Sequence, residues 1–495
     1  MTEVIPTGKE PSSFFRDVAW IGIAQVFTAL TGLITLPILT KTYTTETYGI
    51  WTQVGVTVTL ISPVANLHLE NAVIRFLSGE SDREKRRRIT GAMMLAIIMF
   101  GSLIFVGLNL FAPQVSSFLF DSPSYTTLVR LTFLWIFVDA FYAFFIGVLR
   151  AYGMIKRIAA IQTAFVASKV AIIVVLTLTG FELQWIVVSN FCIESIFALS
   201  MFVMIVKQDG LPLPNISRMK EYLAFSLPQI PVGILAWIMG ASDRYLITHF
   251  LDLAHTGIYA TSNILAGLVS FFYGPIGFVL YPVVSKTWEE NKKTETKHYF
   301  EYSTRIFLTL AVPTVVGIAL LSQPLLKLLT TSEYLAGAGL VVLVGFSQLF
   351  AGIFSINEYI IYLVKQTRWL PFLTIVTAGI SVALNWLLIP HFGIIGAAIS
   401  KVIAYFVLAV IVTVWAKKVI NYNINFKYIA KNIVASLIMA LGLYFFKVNN
   451  ILDIVLAVFM GTTIYIVMLF VLRVISNEEK KRILQMLSKV IPWRH

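Results

Sequence analysis

Apolar residues in this chain fall in long blocks separated by short polar breaks. Each block runs to roughly 20 residues or more, the length a helix needs to cross a bilayer at about 1.5 Å per residue. The pattern predicts spans near 14–40, 48–74, 89–112, 125–149, 158–179 and 184–206. After a polar break come 220–250, 256–282, 301–321, 336–363, 370–389 and 393–416. A second break, Lys417–Lys431, precedes 429–446 and 451–473. The tightest pairs turn around Phe181 and around Pro390-His391-Phe392-Gly393. The fold class is therefore all-α integral membrane, with about fourteen transmembrane helices.

Lys and Arg sort onto alternate sides of these spans. One side holds Lys9 and Arg16, then Arg75 with Arg83, Lys85, Arg86, Arg87 and Arg88, and later Lys207, Arg218, Lys286, Lys365 and Lys417. The opposite side holds only Lys41, Lys327 and Lys447. By the positive-inside rule the rich side is cytoplasmic, and an even number of spans puts both termini there. The location implied is the cytoplasmic membrane. Met1 to Ser13 lacks the basic patch, short apolar core and cleavage site of a signal peptide, so the first span is expected to be retained.

Composition agrees. The 495 residues are 58% hydrophobic and 13% charged, with mean hydropathy +0.83, whereas soluble domains carry about 25% charged residues. The net charge of +13 is a topology signal with attraction to anionic membrane lipids as a side effect, not a nucleic-acid footprint. The single cysteine, Cys192, excludes an intrachain disulfide. In the tail, 475–495, Ser476 and Glu479 form a capping-box pattern. Ile483, Leu484, Leu487, Val490 and Ile491 then recur opposite Lys480, Lys481 and Lys489, predicting an amphipathic helix on the inner membrane face.

The first twelve spans contain a repeat. Gly49-Ile50-Trp51 parallels Gly257-Ile258-Tyr259, Met154-Ile155-Lys156-Arg157 parallels Lys365-Gln366-Thr367-Arg368, and Gly180 parallels Gly393, at offsets of about 208 to 213 residues. Two six-span halves in the same orientation follow, with substrate expected between them. The resulting division is an N-lobe 1–206, a linker 207–219, a C-lobe 220–416, a helix pair 417–474 and the tail.

No phosphate-binding loop, zinc motif or Cys/His cluster occurs, and His68, His249, His255 and His391 are scattered. No cofactor, metal or enzymatic activity is expected. What remains is ionisable residues inside apolar spans, which are costly there and mark functional positions or buried ion pairs. Arg75, Arg130, Lys169, Arg244 and Lys401 are the candidate anion-binding cations. Glu70, Asp139, Glu194, Asp243 and Glu358 are the candidate coupling or gating acids. Pro37, Pro63, Pro228, Pro231, Pro275, Pro282 and Pro313 predict kinks in the helices that would rock.

Several stretches resemble one family. Leu36-Pro37-Ile38-Leu39-Thr40 with Tyr48-Gly49-Ile50 is similar to the first hairpin of the polysaccharide-type flippases, within the multidrug/oligosaccharidyl-lipid/polysaccharide exporter superfamily. So are Ala72-Val73-Ile74-Arg75-Phe76, Ser226-Leu227-Pro228 and Ser242-Asp243-Arg244-Tyr245. The stretch from Ile389 through Gly393 to Ala398 is similar as well. The resemblance implies two six-helix lobes around a central cleft plus two C-terminal helices. It also implies alternating access that carries a polyprenyl-pyrophosphate-linked oligosaccharide to the outer leaflet, with a glycan polymerase or transferase complex as a further partner. It favours Glu70, Arg75, Asp243 and Arg244 as cleft-lining. A cation-coupled multidrug exporter and a lipid II flippase of the same superfamily are the alternatives; a membrane glycosyltransferase would need a large outer loop or clustered catalytic acids.

Overall fold

The structure, a computed structural model, describes residues 31–366, 368–422 and 426–474. Most of the first predicted span and the amphipathic tail lie outside these residues. Among the described residues there are helices, turns and no strand.

The helices follow the predicted spans closely. Helix α1 occupies 31–42, and α2 (Thr45–Ala65) bends by 46° into α3 (Leu69–Leu77). Then come α4 (Arg83–Leu110), α5 (Ala112–Phe120), α6 (Thr126–Ala151), α7 (Ile155–Leu178) and α8 (Leu183–Asp209). The short α9 (Met219–Ser226) leads into α10 (Gln229–Phe250), followed by α11 (Leu253–Ala266) and α12 (Tyr273–Glu289). The chain continues with α13 (Lys293–Leu329), α14 (Ala338–Leu363), α15 (Trp369–Ile420), α16 (Phe426–Tyr444) and α17 (Ile451–Val471).

By length and composition, 11 helices among the described residues can cross a membrane, or 12 if the bent α2–α3 pair is one span. One of them, α15, has 52 residues, about 78 Å if straight and far more than a roughly 30 Å bilayer core requires. It breaks at Gly393, whose φ 59° and ψ −143° are open to glycine and strained for any residue with a Cβ. A Cβ on Gly396 would stand 2.3 Å from the carbonyl oxygen of Leu388. Residues eight apart on a straight helix are separated by about 12 Å, so the chain turns sharply here, where the sequence predicts a tight pair. Gly180, its counterpart in the repeat, also has a positive φ, 79°. One boundary differs from expectation: α15 runs on through Lys417 and Lys418 to Ile420, because long lysine side chains let a helix continue past the apolar core.

Two compact units divide the chain. The first comprises the described part of Met1–Thr261 with Thr374–Ala397; the second comprises Ser262–Leu373 with the described part of Ala398–His495. In the first unit, α6 is central and packs on α2, α3, α4 and α8, burying Phe133, Trp135, Ile136, Phe144 and Val148. At its polar end, Asp209 receives Arg86 Nη2 at 2.6 Å and the Tyr152 hydroxyl, while Arg83 Nε donates to the Asp209 carbonyl at 2.7 Å. Arg87 Nε donates to the Leu211 carbonyl at 2.8 Å, so the start of the linker is fixed to α4. In the second unit, α13 packs on α12, α14 and α16. There Ala435, Met439, Leu443, Ala457 and Leu469 form the core of the C-terminal pair. Outward-facing Met99, Leu103, Leu199, Leu437 and Phe459 stay exposed, as lipid contact demands.

Candidate functional site

The bend between α2 and α3 has a local cause. Leu67 N–H bonds the Val64 carbonyl and His68 N–H bonds the Pro63 carbonyl, each at 3.0 Å, the paired bonds that close a helix with a left-handed residue after its cap. Leu67 (φ 58°) and His68 (φ 51°) both take that conformation. The new direction brings His68 Nδ1 within 3.0 Å of Glu70 Oε1. Glu70 Oε2 is buried with no hydrogen-bond partner among the described residues. The His68 imidazole packs on Gly233 of α10, where a Cβ would stand 2.9 Å from Nε2. At the end of α3, Arg75 is exposed and its guanidinium lies 4.4 Å from the Phe225 ring centroid.

Helix α10 runs antiparallel to this bent span and is joined to it by polar contacts. Asn71 Nδ2 donates to Gln229 Oε1 at 3.0 Å, Trp237 Nε1 donates to the Val56 carbonyl at 2.9 Å, and the Thr57 and Tyr245 hydroxyls lie 2.7 Å apart. Further along, Asp243 is buried and accepts from the Tyr259 hydroxyl at 2.5 Å. Arg244 lies near both Tyr48 and Tyr245, and its Nε is buried with no hydrogen-bond partner among the described residues. At the start of α2, Gly49 meets α11: a Cβ there would stand 1.9 Å from the Leu253 carbonyl oxygen, and one on Gly257 would stand 2.3 Å from that of Thr45.

Glu70, Arg75, Asp243 and Arg244 therefore share one polar seam between paired helices of the first unit. The Glu70 end, opposite Gly233, and Arg244 lie roughly 16 Å apart along α10. The other predicted residues sit elsewhere. Lys169 Nζ pairs with Glu194 Oε2 at 3.0 Å among α6, α7 and α8, and Asp139 approaches the same carboxyl group. Lys401, in the second unit, is buried and donates to Asn263 Oδ1 at 3.2 Å. Glu358 is half-buried in that unit, near Tyr273, Tyr359 and Tyr362. Arg130 is exposed at the start of α6 and has no place in a buried cluster; a long side chain there reaches the interface, as snorkelling requires.

Sequence reasoning missed Gln53 and Asn66. Among the described residues, Gln53, fully buried on α2, has neither amide atom hydrogen-bonded, and Asn66, at the bend, has a buried Oδ1 without a partner. Neither is ionisable; an amide inside an apolar run is the sequence signal that marks both.

Comparison with known proteins gives a consistent picture. A family model described as "Polysaccharide biosynthesis protein" matches residues 14–288, and a second, described as "MatE", matches residues 228–387. An uncharacterized membrane protein of Methanocaldococcus jannaschii is 24% identical over 456 residues, 86% of this chain and 88% of that one. The "Probable low-salt glycan biosynthesis flippase Agl15" of Haloferax volcanii is 21% identical over 260 residues, 52% of this chain and 55% of its own. Among solved structures, the lipid II flippase MurJ in an inward closed conformation is similar with a TM-score of 0.76 at 16% identity, covering 91% of this chain and 98% of MurJ. That likeness concerns the fold. With more than half of its length matched, the chain belongs to the polysaccharide biosynthesis protein family, the polysaccharide-type flippases of the multidrug/oligosaccharidyl-lipid/polysaccharide exporter superfamily.

Proposed function

We propose that this protein moves a polyprenyl-pyrophosphate-linked oligosaccharide from the inner to the outer leaflet of the cytoplasmic membrane by alternating access, with both termini in the cytoplasm. In this reading two six-helix lobes, 1–206 and 220–416, rock about the linker between them, and the glycan passes to a polymerase or transferase complex. The observation that carries the reading is Arg244: a guanidinium with a buried Nε that has no hydrogen-bond partner among the described residues, in a chain of this family. A pyrophosphate is the natural partner of such a group, since a guanidinium presents a planar fork of donors that matches phosphate oxygens. The lipid tail needs no protein pocket and can stay in the bilayer.

Complementation of a strain lacking its own polysaccharide flippase tests this, with surface glycan scored by gel. Restoration by the native chain, lost in Arg244→Ala at equal membrane levels, is the expected result. Failure of a well-expressed native chain there, with rescue of a strain depleted of its lipid II flippase, would favour the second reading.

A further inference from the structure

Gln53 is the most anomalous side chain in the polar seam. It is fully buried, and both the donor and the acceptor end of its amide lack a partner among the described residues. Its position on α2 is well defined. Gly49, one turn before it, lies against the Leu253 carbonyl, and Thr57, one turn after it, meets the Tyr245 hydroxyl at 2.7 Å. Residues four apart share a helix face, so Gln53 faces the junction of α2 with α10 and α11. A leucine would fill this place without leaving buried polar atoms unsatisfied, which is the costly arrangement inside a protein. The amide costs stability where it stands.

Arg244, on the facing helix next to Tyr245, shows the same deficit at its Nε. The two groups are complementary in chemistry. An amide offers two donors and an acceptor together, which suits a sugar hydroxyl that must both give and receive. A guanidinium offers only donors, which suits a phosphate.

We infer that Gln53 and Arg244 form the subsite for the sugar–phosphate junction of the transported lipid, Gln53 binding hydroxyls of the first sugar and Arg244 the pyrophosphate, and that their unsatisfied atoms mark this subsite. The inference rests on the flippase reading and adds to it the residue that senses the sugar.

The test uses the full-length chain in detergent and native mass spectrometry. The probes are undecaprenyl pyrophosphate and a set of undecaprenyl-pyrophosphoryl sugars bearing N-acetylglucosamine, galactose or rhamnose. The native chain is expected to bind at least one sugar-bearing lipid more tightly than the bare pyrophosphate. Gln53→Leu removes that preference, weakening the sugar-bearing lipid about tenfold and leaving bare undecaprenyl pyrophosphate unchanged. Arg244→Gln weakens both. Gln53→Leu also melts no lower than the native chain, a result opposite to that expected for a structural amide. A preserved sugar preference in Gln53→Leu, or a lowered melting temperature, would overturn the inference and leave the flippase reading standing. A native chain with no preference for any sugar-bearing lipid would overturn the inference alone, whereas one that binds neither these lipids nor bare undecaprenyl pyrophosphate would overturn the reading as well.

Discussion

At Glu194 a single carboxylate oxygen receives both the Trp135 indole N–H, at 2.7 Å, and the Lys169 ammonium, at 3.0 Å. The same ammonium lies 4.3 Å from the Phe165 ring centroid and 5.0 Å from that of Trp135. A charge held this way is stabilised by its partner and by the aromatic faces, and removing the partner strands it. Glu194→Ala is therefore expected to cost about 3 kcal/mol, read as a lower melting temperature by tryptophan fluorescence. Lys169→Met combined with Glu194→Leu should recover most of that loss. A melt unchanged in Glu194→Ala would mean that water already reaches the pair. The sequence marked both residues as expensive in a span, which was correct physics, yet it had no means of pairing them, because their meeting depends on how α7 and α8 pack against α6. For the same reason Arg130 looked like Lys169: the two differ in which way the helix faces, and an apolar span carries little record of facing.

Between elements, the crossing of α2 and α11 is built from repeat-equivalent residues. Gly49 lies against Leu253 while Gly257 lies against Thr45, and each member of one helix has its counterpart about 208 residues away in the other. The repeat made these glycines visible in the sequence as a correspondence. That they touch was not legible, since equivalence in a repeat does not specify contact. The backbones approach so closely that no side chain fits between them, and overpacking of this kind costs about 1–3 kcal/mol. Gly49→Ala and Gly257→Ala should each lower the melting temperature and reduce surface glycan in the complementation assay. Gly55→Ala is the control, on the same helix and with nothing within 4 Å of the added methyl. It should be neutral or stabilising by up to about 1 kcal/mol through helix propensity. Neutral effects at Gly49 and Gly257, matching the Gly55 control, would show that the crossing tolerates a Cβ.

Orientation is a property of the whole chain, because it comes from the distribution of basic residues over many loops rather than from any one of them. The structure adds that some of these residues have local partners: Arg86 is bound by Asp209, and Arg88 by Glu84. Such pairing alters the effective charge of one loop, but the imbalance against Lys41, Lys327 and Lys447 is too large to be reversed by two acids. The chain is suited to a direct test, since Cys192 is its only cysteine. In a Cys192→Ser background, single cysteines at Glu84 and Asp121 would report opposite sides of the membrane; both positions are exposed. A membrane-impermeant maleimide applied to intact cells should label Asp121→Cys at once and Glu84→Cys only after permeabilisation. The consequence reaches the proposed transport direction. The Arg75 end of the bent span is cytoplasmic only in this orientation, and a lipid-linked glycan made at the inner leaflet would enter from that end. Labelling of Glu84→Cys in intact cells would invert every loop together, and with it the direction in which this flippase could carry its substrate.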